Sequence, residues 1–178
     1  MPVHYDFSDR RVIITGAAGG MGTAVTQAFL ETGAQVFATD RAGLALEAIP
    51  DRLECLKKVG CDLLDISALR NLMQGALDWL GGCDVLVCTA GFMPVCNPLE
   101  VTEELWTSNL GVNLVAPYIC IQETIEALKA SDAGRIICFG STSGKTGGHR
   151  LNMPYSAAKG GLHAMTFNLA RELAMTGV

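Results

Sequence analysis

Residues 11–22 decide the fold: Arg11-Val12-Ile13-Ile14-Thr15 is an apolar run that passes directly into the turn Gly16-Ala17-Ala18-Gly19-Gly20-Met21-Gly22. The apolar run predicts a buried strand, and the residues from about Met21 to Thr32 predict a helix. A glycine-rich turn between a strand and a helix is the setting that a pyrophosphate-binding loop requires, because the helix N-terminus attracts negative charge. The alternative is a glycine-rich loop with no ligand.

Three glycines of this turn have distinct tasks in the phosphate-binding interpretation. Gly16 permits the tight turn, whereas Gly20 and Gly22 let the backbone and the helix approach the pyrophosphate closely. Met21 lies between the latter two and is counted among the predicted cofactor contacts.

The rest of the chain continues the alternation of short apolar runs with helical patterns. Further strands are predicted at Gln35–Thr39, Cys55–Val59, Asp84–Thr89 and Arg135–Gly140, and further helices at Ala42–Ala48, Ile66–Leu80, Thr102–Leu110, Val112–Ala130 and Met153–Met175. This order predicts one α/β domain over residues 1–178, a doubly wound parallel sheet with helices on both faces. In such sheets ligands bind at the carboxyl ends of the strands, at the switch point.

Composition excludes several classes of function. The chain carries a net charge of −5 and no run of Lys or Arg, so nucleic acid and membrane surfaces are not expected partners. No apolar stretch approaches the ~20 residues of a membrane helix, and the polar start is unlike a secretory signal, which predicts a cytoplasmic protein. Seven cysteines without a Cys-x-x-Cys pair, and three scattered histidines, predict neither disulfides nor a metal site.

Acidic residues after the second and third strands bear on cofactor choice. Asp40 can accept hydrogen bonds from ribose hydroxyls and would repel a 2′-phosphate, which favours NAD over NADP. Arg41 beside it could weaken that preference. Asp62 could bind the adenine edge or could instead cap the following helix.

A phenol and an ammonium lie one helical turn apart in Tyr155-Ser156-Ala157-Ala158-Lys159. The cation favours the phenolate form of Tyr155, which can then exchange a proton with an alcohol or a carbonyl. Ser141 could hold the substrate oxygen, or could be part of an ordinary polar turn. Asn113 needs hydrogen-bond partners if it is buried, and the alternative is a cap at a helix end.

On these motifs the sequence resembles the short-chain dehydrogenase/reductase family over its whole length. The matching residues are the turn Thr15–Gly22, Asp40, Asp62-Leu63, Ala90-Gly91, and the set Asn113, Ser141, Tyr155 and Lys159. The resemblance implies a Rossmann fold and an NAD-dependent oxidoreductase that interconverts a secondary alcohol and a ketone. A nucleotide-binding sensor without catalysis and a methyltransferase are the alternatives.

The resemblance also implies roles and partners. Tyr155 would be the acid/base, Ser141 would polarise the substrate oxygen, Lys159 would hold the cofactor ribose, and Asn113 would support a relay water at a helix kink. The last two long helices would pair in a homodimer or homotetramer. A mostly apolar substrate pocket is expected from residues Phe92, Met93, Val95, His149, Leu151 and Met153.

Two departures from the family pattern stand out. Cys88-Thr89 replace two asparagines whose amides support the central sheet. The sequence also ends at Val178, before the family's sixth and seventh strands, its Pro-Gly loop and its substrate lid. We therefore expect an incomplete form of a longer enzyme, truncated after the Tyr-x-x-x-Lys helix, with an open edge at the fifth strand.

Overall fold

The computed structural model describes residues 5–41, 44–47, 49, 54–148 and 152–178. Parts of the predicted Ala42–Ala48 helix lie outside the described residues. The expected pocket residues His149 and Leu151 lie outside them too, so they stay predictions.

In the described part of the chain, parallel strands form one five-stranded sheet in the order β3-β2-β1-β4-β5. The strands are β1 Arg11–Thr15, β2 Gln35–Asp40, β3 Leu56–Gly60, β4 Val85–Cys88 and β5 Arg135–Cys138. The helices are α1 Gly20–Glu31, α2 Leu44–Glu47, α3 Ile66–Leu80, α4 Glu103–Leu110, α5 Ala116–Ala130, α6 Ser143–Thr146 and α7 Met153–Leu173, with a π-helical turn at Gly111–Val115 between α4 and α5. The predicted doubly wound α/β fold is confirmed.

Apolar side chains fill both faces of the sheet, which explains why the strands are almost continuously hydrophobic. Along β1, Ile13 faces a core that α3 and α5 cover, whereas Val12 and Ile14 face a core that α1 and α2 cover. The central strands β1, β2 and β4 of the sheet are thus buried on both sides along most of their length. Strand β5 forms one edge of the sheet, as expected, with Ile137 43% exposed.

Several element boundaries differ from the sequence prediction by one or two residues; β5, for example, ends at Cys138 rather than Gly140. The long helix expected over Val112–Ala130 begins as the π-helical turn, and the last helix ends at Leu173 rather than Met175. The short helix α6 was not predicted, because four residues are too few for a periodic pattern. No helix among the described residues combines the length and the apolarity needed to cross a bilayer.

A buried carboxylate fastens the amino ends of the central strands. The side chain of Asp84 is 2% exposed and accepts from Arg11 Nε at 2.9 Å, Arg11 Nη2 at 2.7 Å and Ser131 Oγ at 2.6 Å. The backbone N–H of Arg11 donates to it as well, at 2.8 Å. Burial alone would raise the pKa of Asp84, but these hydrogen bonds outweigh it and hold the pKa well below its usual range.

We expect Asp84→Asn to lower the free energy of unfolding by about 3 kcal/mol near neutral pH, because it breaks a buried, hydrogen-bonded ion pair. Since the folded-state pKa is depressed, the ionised carboxyl stabilises the fold above about pH 4 and loses this effect as the pH falls further. The difference between variant and wild type should therefore narrow in acid. Urea unfolding at neutral and acidic pH measures it.

Asp132→Asn is the matched control, since Asp132 is 81% exposed in its pair with Arg10. It should change the free energy of unfolding by less than about 1 kcal/mol. An Asp84→Asn deficit that is the same at both pH values would contradict the assignment.

Candidate functional site

Backbone atoms pack so closely against the glycine-rich turn after β1 that no side chain would fit at Gly16 or Gly22. Gly16 has φ +76°, and a Cβ added to it would lie 2.3 Å from Ala90 N. A Cβ on Gly22 would lie 1.9 Å from Gly16 O. The turn therefore packs against the end of β4 on one side and the start of α1 on the other.

A threonine ties β4 to this turn. Thr89 Oγ1 lies 2.8 Å from Thr15 O and 3.1 Å from Gly16 O, and the residue is 9% exposed. Its hydroxyl donates to the carbonyls that end β1. At a position where the family has an asparagine, a shorter donor thus links the two central strands.

A cleft of about 550 Å³ opens beside the turn at the carboxyl ends of the strands. Its described lining is Gly16, Ala18, Gly19, Asp40, Arg41, Asp62, Leu63, Leu64, Thr89, Ala90, Gly91, Phe92, Ser108 and Val112. Most of the predicted cofactor contacts are therefore brought together. The sequence reasoning missed Leu64, Ser108 and Val112, although Val112 directly precedes a predicted site residue.

The acidic residues of the cleft are fixed by backbone N–H groups. Asp40 Oδ2 accepts from Ala18 N at 3.0 Å, and its Oδ1 accepts from Arg41 N at 2.7 Å. This carboxylate ends β2 at the carboxyl edge of the sheet, beside the glycine-rich turn. Carboxylates and backbone N–H groups are the donor and acceptor set that suits the adenosine half of a dinucleotide.

The alternative in which Asp62 caps the next helix is wrong. Asp65 is the cap of α3, since it accepts from Ala68 N at 2.9 Å. Asp62 Oδ1 instead accepts from Leu64 N at 3.0 Å, which leaves Asp62 on the cleft wall. Leu63 beside it is 7% exposed.

Gly20 and Met21 lie on the exposed first turn of α1, outside the cleft lining. A Cβ on Gly20 would meet nothing within 4 Å, and Met21 is 61% exposed. Gly22 also lies outside the lining and acts through the packing of the turn. Contacts from Gly20 and Met21 to a cofactor stay predictions.

The π-helical turn carries Asn113, and Pro117 explains why the helix departs from regular geometry there. A proline has no N–H to give to the carbonyl four residues earlier, and its ring clashes with that carbonyl, which here belongs to Asn113. The helix widens instead, so that Ala116 N donates to Gly111 O, five residues back.

The side chain of Asn113 is buried and only partly paired. Its Nδ2 donates to Phe92 O at 3.1 Å and to Asn109 O at 3.1 Å, while among the described residues its Oδ1 has no hydrogen-bond partner. The alternative in which Asn113 caps a helix end is therefore wrong. Asn109 Nδ2 donates to the same Phe92 carbonyl at 3.0 Å, so two amides hold the loop after β4.

Lys159 and Gly91 meet Asn113 at this point. A Cβ on Gly91 would lie 2.6 Å from Asn113 Oδ1 and 3.7 Å from Lys159 Nζ. The lysine is 4% exposed and donates to Phe139 O at 2.7 Å, and its Nζ lies 5.7 Å from the centre of the Tyr155 ring. The Tyr-x-x-x-Lys helix thus reaches the strand end that also closes the glycine-rich turn.

Burial lowers the pKa of Lys159, because the ammonium loses water. The neighbouring thiols of Cys88 and Cys138 would raise the pKa of Lys159 if they were negatively charged, but at neutral pH they are not. A hydrogen bond with Cys88 and burial raise the pKa of Cys138, and the pKa of Cys88 is raised as well, chiefly by a hydrogen bond with Cys120. Both thiols are therefore neutral, and the Phe139 carbonyl is the acceptor that holds the ammonium.

Ser141 is half-buried and begins the loop after β5. Its Oγ accepts from Ser143 N at 3.1 Å, which orients the start of α6. A Cβ on Gly144 would lie 2.6 Å from the carbonyl carbon of Lys159, so α6 packs directly on the backbone of α7. The Ser141 loop and the Tyr155 helix are neighbours for this reason.

Across the described ranges, no cluster of three or more His, Cys, Asp or Glu side chains is arranged to hold a metal ion.

The family model of the short chain dehydrogenases matches residues 10–178. The chain belongs to this family. A 168-residue stretch is 34% identical to an uncharacterised oxidoreductase of Thermotoga maritima, covering 90% of this chain and 64% of that protein. A 2-dehydro-3-deoxy-L-rhamnonate dehydrogenase (NAD(+)) of a Sphingomonas species is 30% identical, over 97% of this chain and 69% of its own length.

Solved structures of short-chain dehydrogenases share the fold of this chain. A short-chain dehydrogenase/reductase of Brucella melitensis, described as a glucose/ribitol dehydrogenase, superposes with a TM-score of 0.89 at 28% identity, over 97% of this chain and 73% of that one. The chain thus spans about two thirds of the length of these relatives. Membership of an oxidoreductase family also removes the methyltransferase alternative.

We expect Gly22→Ala to lower the free energy of unfolding by about 3 kcal/mol, because its methyl group would meet backbone that cannot move aside. Gly20→Ala is the matched control, two residues away with open space around it. It should change stability by less than about 1 kcal/mol. Urea unfolding of both variants measures the difference, and equal stability would contradict the described packing of the turn.

The buried charge of Lys159 leads to a second prediction, on how the free energy of unfolding depends on pH. Because its pKa in the fold lies below the usual 10.5, protonation favours the unfolded chain, and raising the pH through that range stabilises the fold. The free energy of unfolding of wild type should therefore rise relative to Lys159→Met as the pH is raised toward 10.5.

Urea titrations at several pH values measure this difference. Lys129→Met, at a surface lysine that pairs with Glu126, serves as the control and should give a flat difference. A flat difference for Lys159→Met as well would show that its ammonium is not destabilised by burial.

Proposed function

We propose that this chain binds NAD and interconverts a secondary alcohol and a ketone. One observation carries the proposal: Gly91, Asn113 Oδ1 and Lys159 Nζ converge at the end of β4, beside the glycine-rich turn. Since Lys159 Nζ also lies 5.7 Å from the centre of the Tyr155 ring, the convergence supports a site in which the phenol and ammonium of α7 act on a dinucleotide held in the cleft.

The residues fit a dinucleotide. The turn Thr15–Gly22 offers backbone N–H groups and a helix N-terminus to a pyrophosphate. In this proposal Asp40 and the Asp62-Leu63 pair, which line the cleft, would face the adenosine half, and Ala90-Gly91, with Lys159 Nζ beside Gly91, would face the nicotinamide half. The unpartnered Oδ1 of Asn113 and the close approach at Gly91 indicate a site built for polar contacts. A bound nicotinamide would supply the hydride acceptor in oxidation and the hydride donor in reduction.

NAD is the preferred form in this proposal, because the Asp40 carboxylate would repel a 2′-phosphate. The Asp40 carboxylate accepts from the backbone N–H of Arg41, and the Arg41 guanidinium is the charge that would weaken this preference. The Sphingomonas relative is named as an NAD(+) enzyme.

Tyr155 has the central chemical role. Its hydroxyl oxygen takes the proton of the alcohol in oxidation and returns it to the carbonyl oxygen in reduction. Lys159 favours the phenolate and holds a ribose, and Ser141 donates to the substrate oxygen. Asn113, at the helix irregularity that Pro117 causes, supports a water that carries the proton onward.

The substrate side of the site is largely apolar. Phe92, Met93, Val95 and Met153 are between 38% and 76% exposed, which suits an alcohol with a hydrophobic body. Exposed apolar residues on α5 and α7, such as Tyr118 and Phe167, favour pairing of these helices in a homodimer or homotetramer. Seven free cysteines suit a reducing cytoplasm.

The test is oxidation of a panel of secondary alcohols with NAD⁺, followed by the absorbance of the reduced nicotinamide. We expect Tyr155→Phe to lower kcat by about 100-fold or more while NAD⁺ binding changes little, because only the proton acceptor is removed. Tyr118→Phe, on the exposed face of α5, is the control for loss of a phenol. Binding of NAD⁺ without turnover in the wild type would instead favour a sensor.

A further inference from the structure

Asn152 is a buried amide at the start of the helix that carries Tyr155. It precedes α7 directly, is 5% exposed, and lies three residues before Tyr155. Its Oδ1 lies 3.2 Å from Ser156 Oγ, one turn further along the helix. Nothing in the role proposed for Tyr155, Lys159, Ser141 and Asn113 uses this side chain.

Among the described residues, the partner of the Asn152 amide nitrogen is a poor acceptor. Its Nδ2 donates to Met93 Sδ at 3.4 Å. A thioether is among the weakest acceptors in proteins, whereas a buried amide N–H loses a strong bond to water. An oxygen atom that reached this position would therefore be a better partner for the amide than the sulfur is.

Met93 is suited to give way. Its side chain is 52% exposed and unbranched, so it can change rotamer at little cost. The backbone just before it is held, since Asn109 and Asn113 both donate to Phe92 O. A ligand can thus displace the Met93 side chain without moving the loop.

The position of the amide matches a substrate at the proposed site. The loop of Met93 begins at Gly91, which adjoins Lys159 Nζ and Asn113 Oδ1. Asn152 directly precedes α7 and Tyr155 lies in the first turn of that helix, so one small molecule beside this helix start can meet both side chains through different oxygen atoms.

We propose that Asn152 donates a hydrogen bond to a second oxygen of the substrate, in place of Met93 Sδ. The substrate class is then a secondary alcohol or ketone with a hydroxyl or carbonyl oxygen one or two carbons from the reacting centre. This proposal rests on the proposed function and narrows it, since an apolar body alone would not use the amide.

The experiment compares 2,3-butanediol with 2-butanol, and 2,4-pentanediol with 2-pentanol, in the wild-type protein with NAD⁺. We expect kcat/KM to be about tenfold higher for each diol, as one added hydrogen bond allows. Asn152→Ala should remove that preference, chiefly by raising KM for the diols, while kcat/KM for the two simple alcohols changes by less than about twofold.

Met93→Leu is the second variant, because it removes the sulfur and keeps an apolar side chain of similar size. It should retain the preference for diols, since the donor is Asn152. Equal loss of activity toward diols and simple alcohols in Asn152→Ala would show a structural role only and overturn the proposal. Should that variant not fold, equal kcat/KM for diols and simple alcohols in the wild type overturns it.

The experiment distinguishes failure of the proposed oxidoreductase activity from failure of the proposed role of Asn152. Absence of turnover with all four alcohols and with their ketones would count against the proposed oxidoreductase activity, and the role of Asn152 would fall with it. Turnover of all four at the same efficiency would leave the oxidoreductase in place and refute the role of Asn152 alone.

Discussion

The buried ammonium of Lys159 is the charge around which the site is arranged. An ammonium that is 4% exposed must be met by polar atoms, and the fold supplies the Phe139 carbonyl from the end of β5. On its other side lies Gly91, where any side chain would collide with Asn113 Oδ1. Because Gly91 lines the cleft and carries no side chain, Asn113 Oδ1 and Lys159 Nζ can both lie close behind it. A partly desolvated cation beside an unpartnered amide oxygen is a costly arrangement for a merely structural position.

Stability and chemistry occupy opposite ends of the same strands. At the amino ends, Asp84 joins the first residue of β1 to the loop before β5 through charged hydrogen bonds. At the carboxyl ends, the backbones of β1 and β4 approach so closely that only Gly16 fits. Parallel strands make this division possible, because every carboxyl end points to one edge of the sheet. The rigid end can thus hold the strands in register while the other end is shaped by loops.

Much of this could be predicted from the sequence, and the omissions have physical causes. The bounds of β1 and α3 follow from an apolar run and a clear helical period. The π-helical turn does not follow from periodicity, since its five residues are too few to show an apolar period of their own. Its signal was Pro117, four residues after Asn113. The sequence left open whether Asp62 caps α3, because either Asp62 or Asp65 could precede a helix at Ile66, and only the backbone geometry shows that Asp65 is the cap.

Thr89 shows that the fold requires a particular hydrogen bond at this position and not a particular residue type. The sequence comparison with the family pattern makes the loss of an asparagine look like a loss of support for the sheet. In the structure, the hydroxyl of Thr89 donates to the carbonyls that end β1. What the fold requires at this position is a short donor that joins β4 to the glycine-rich turn, and an amide is one way to provide it. A motif written as residue types therefore covers only some of the sequences that can form this cleft. The hydrogen bond from β4 to the glycine-rich turn and the close contact at Gly16 describe the requirement directly.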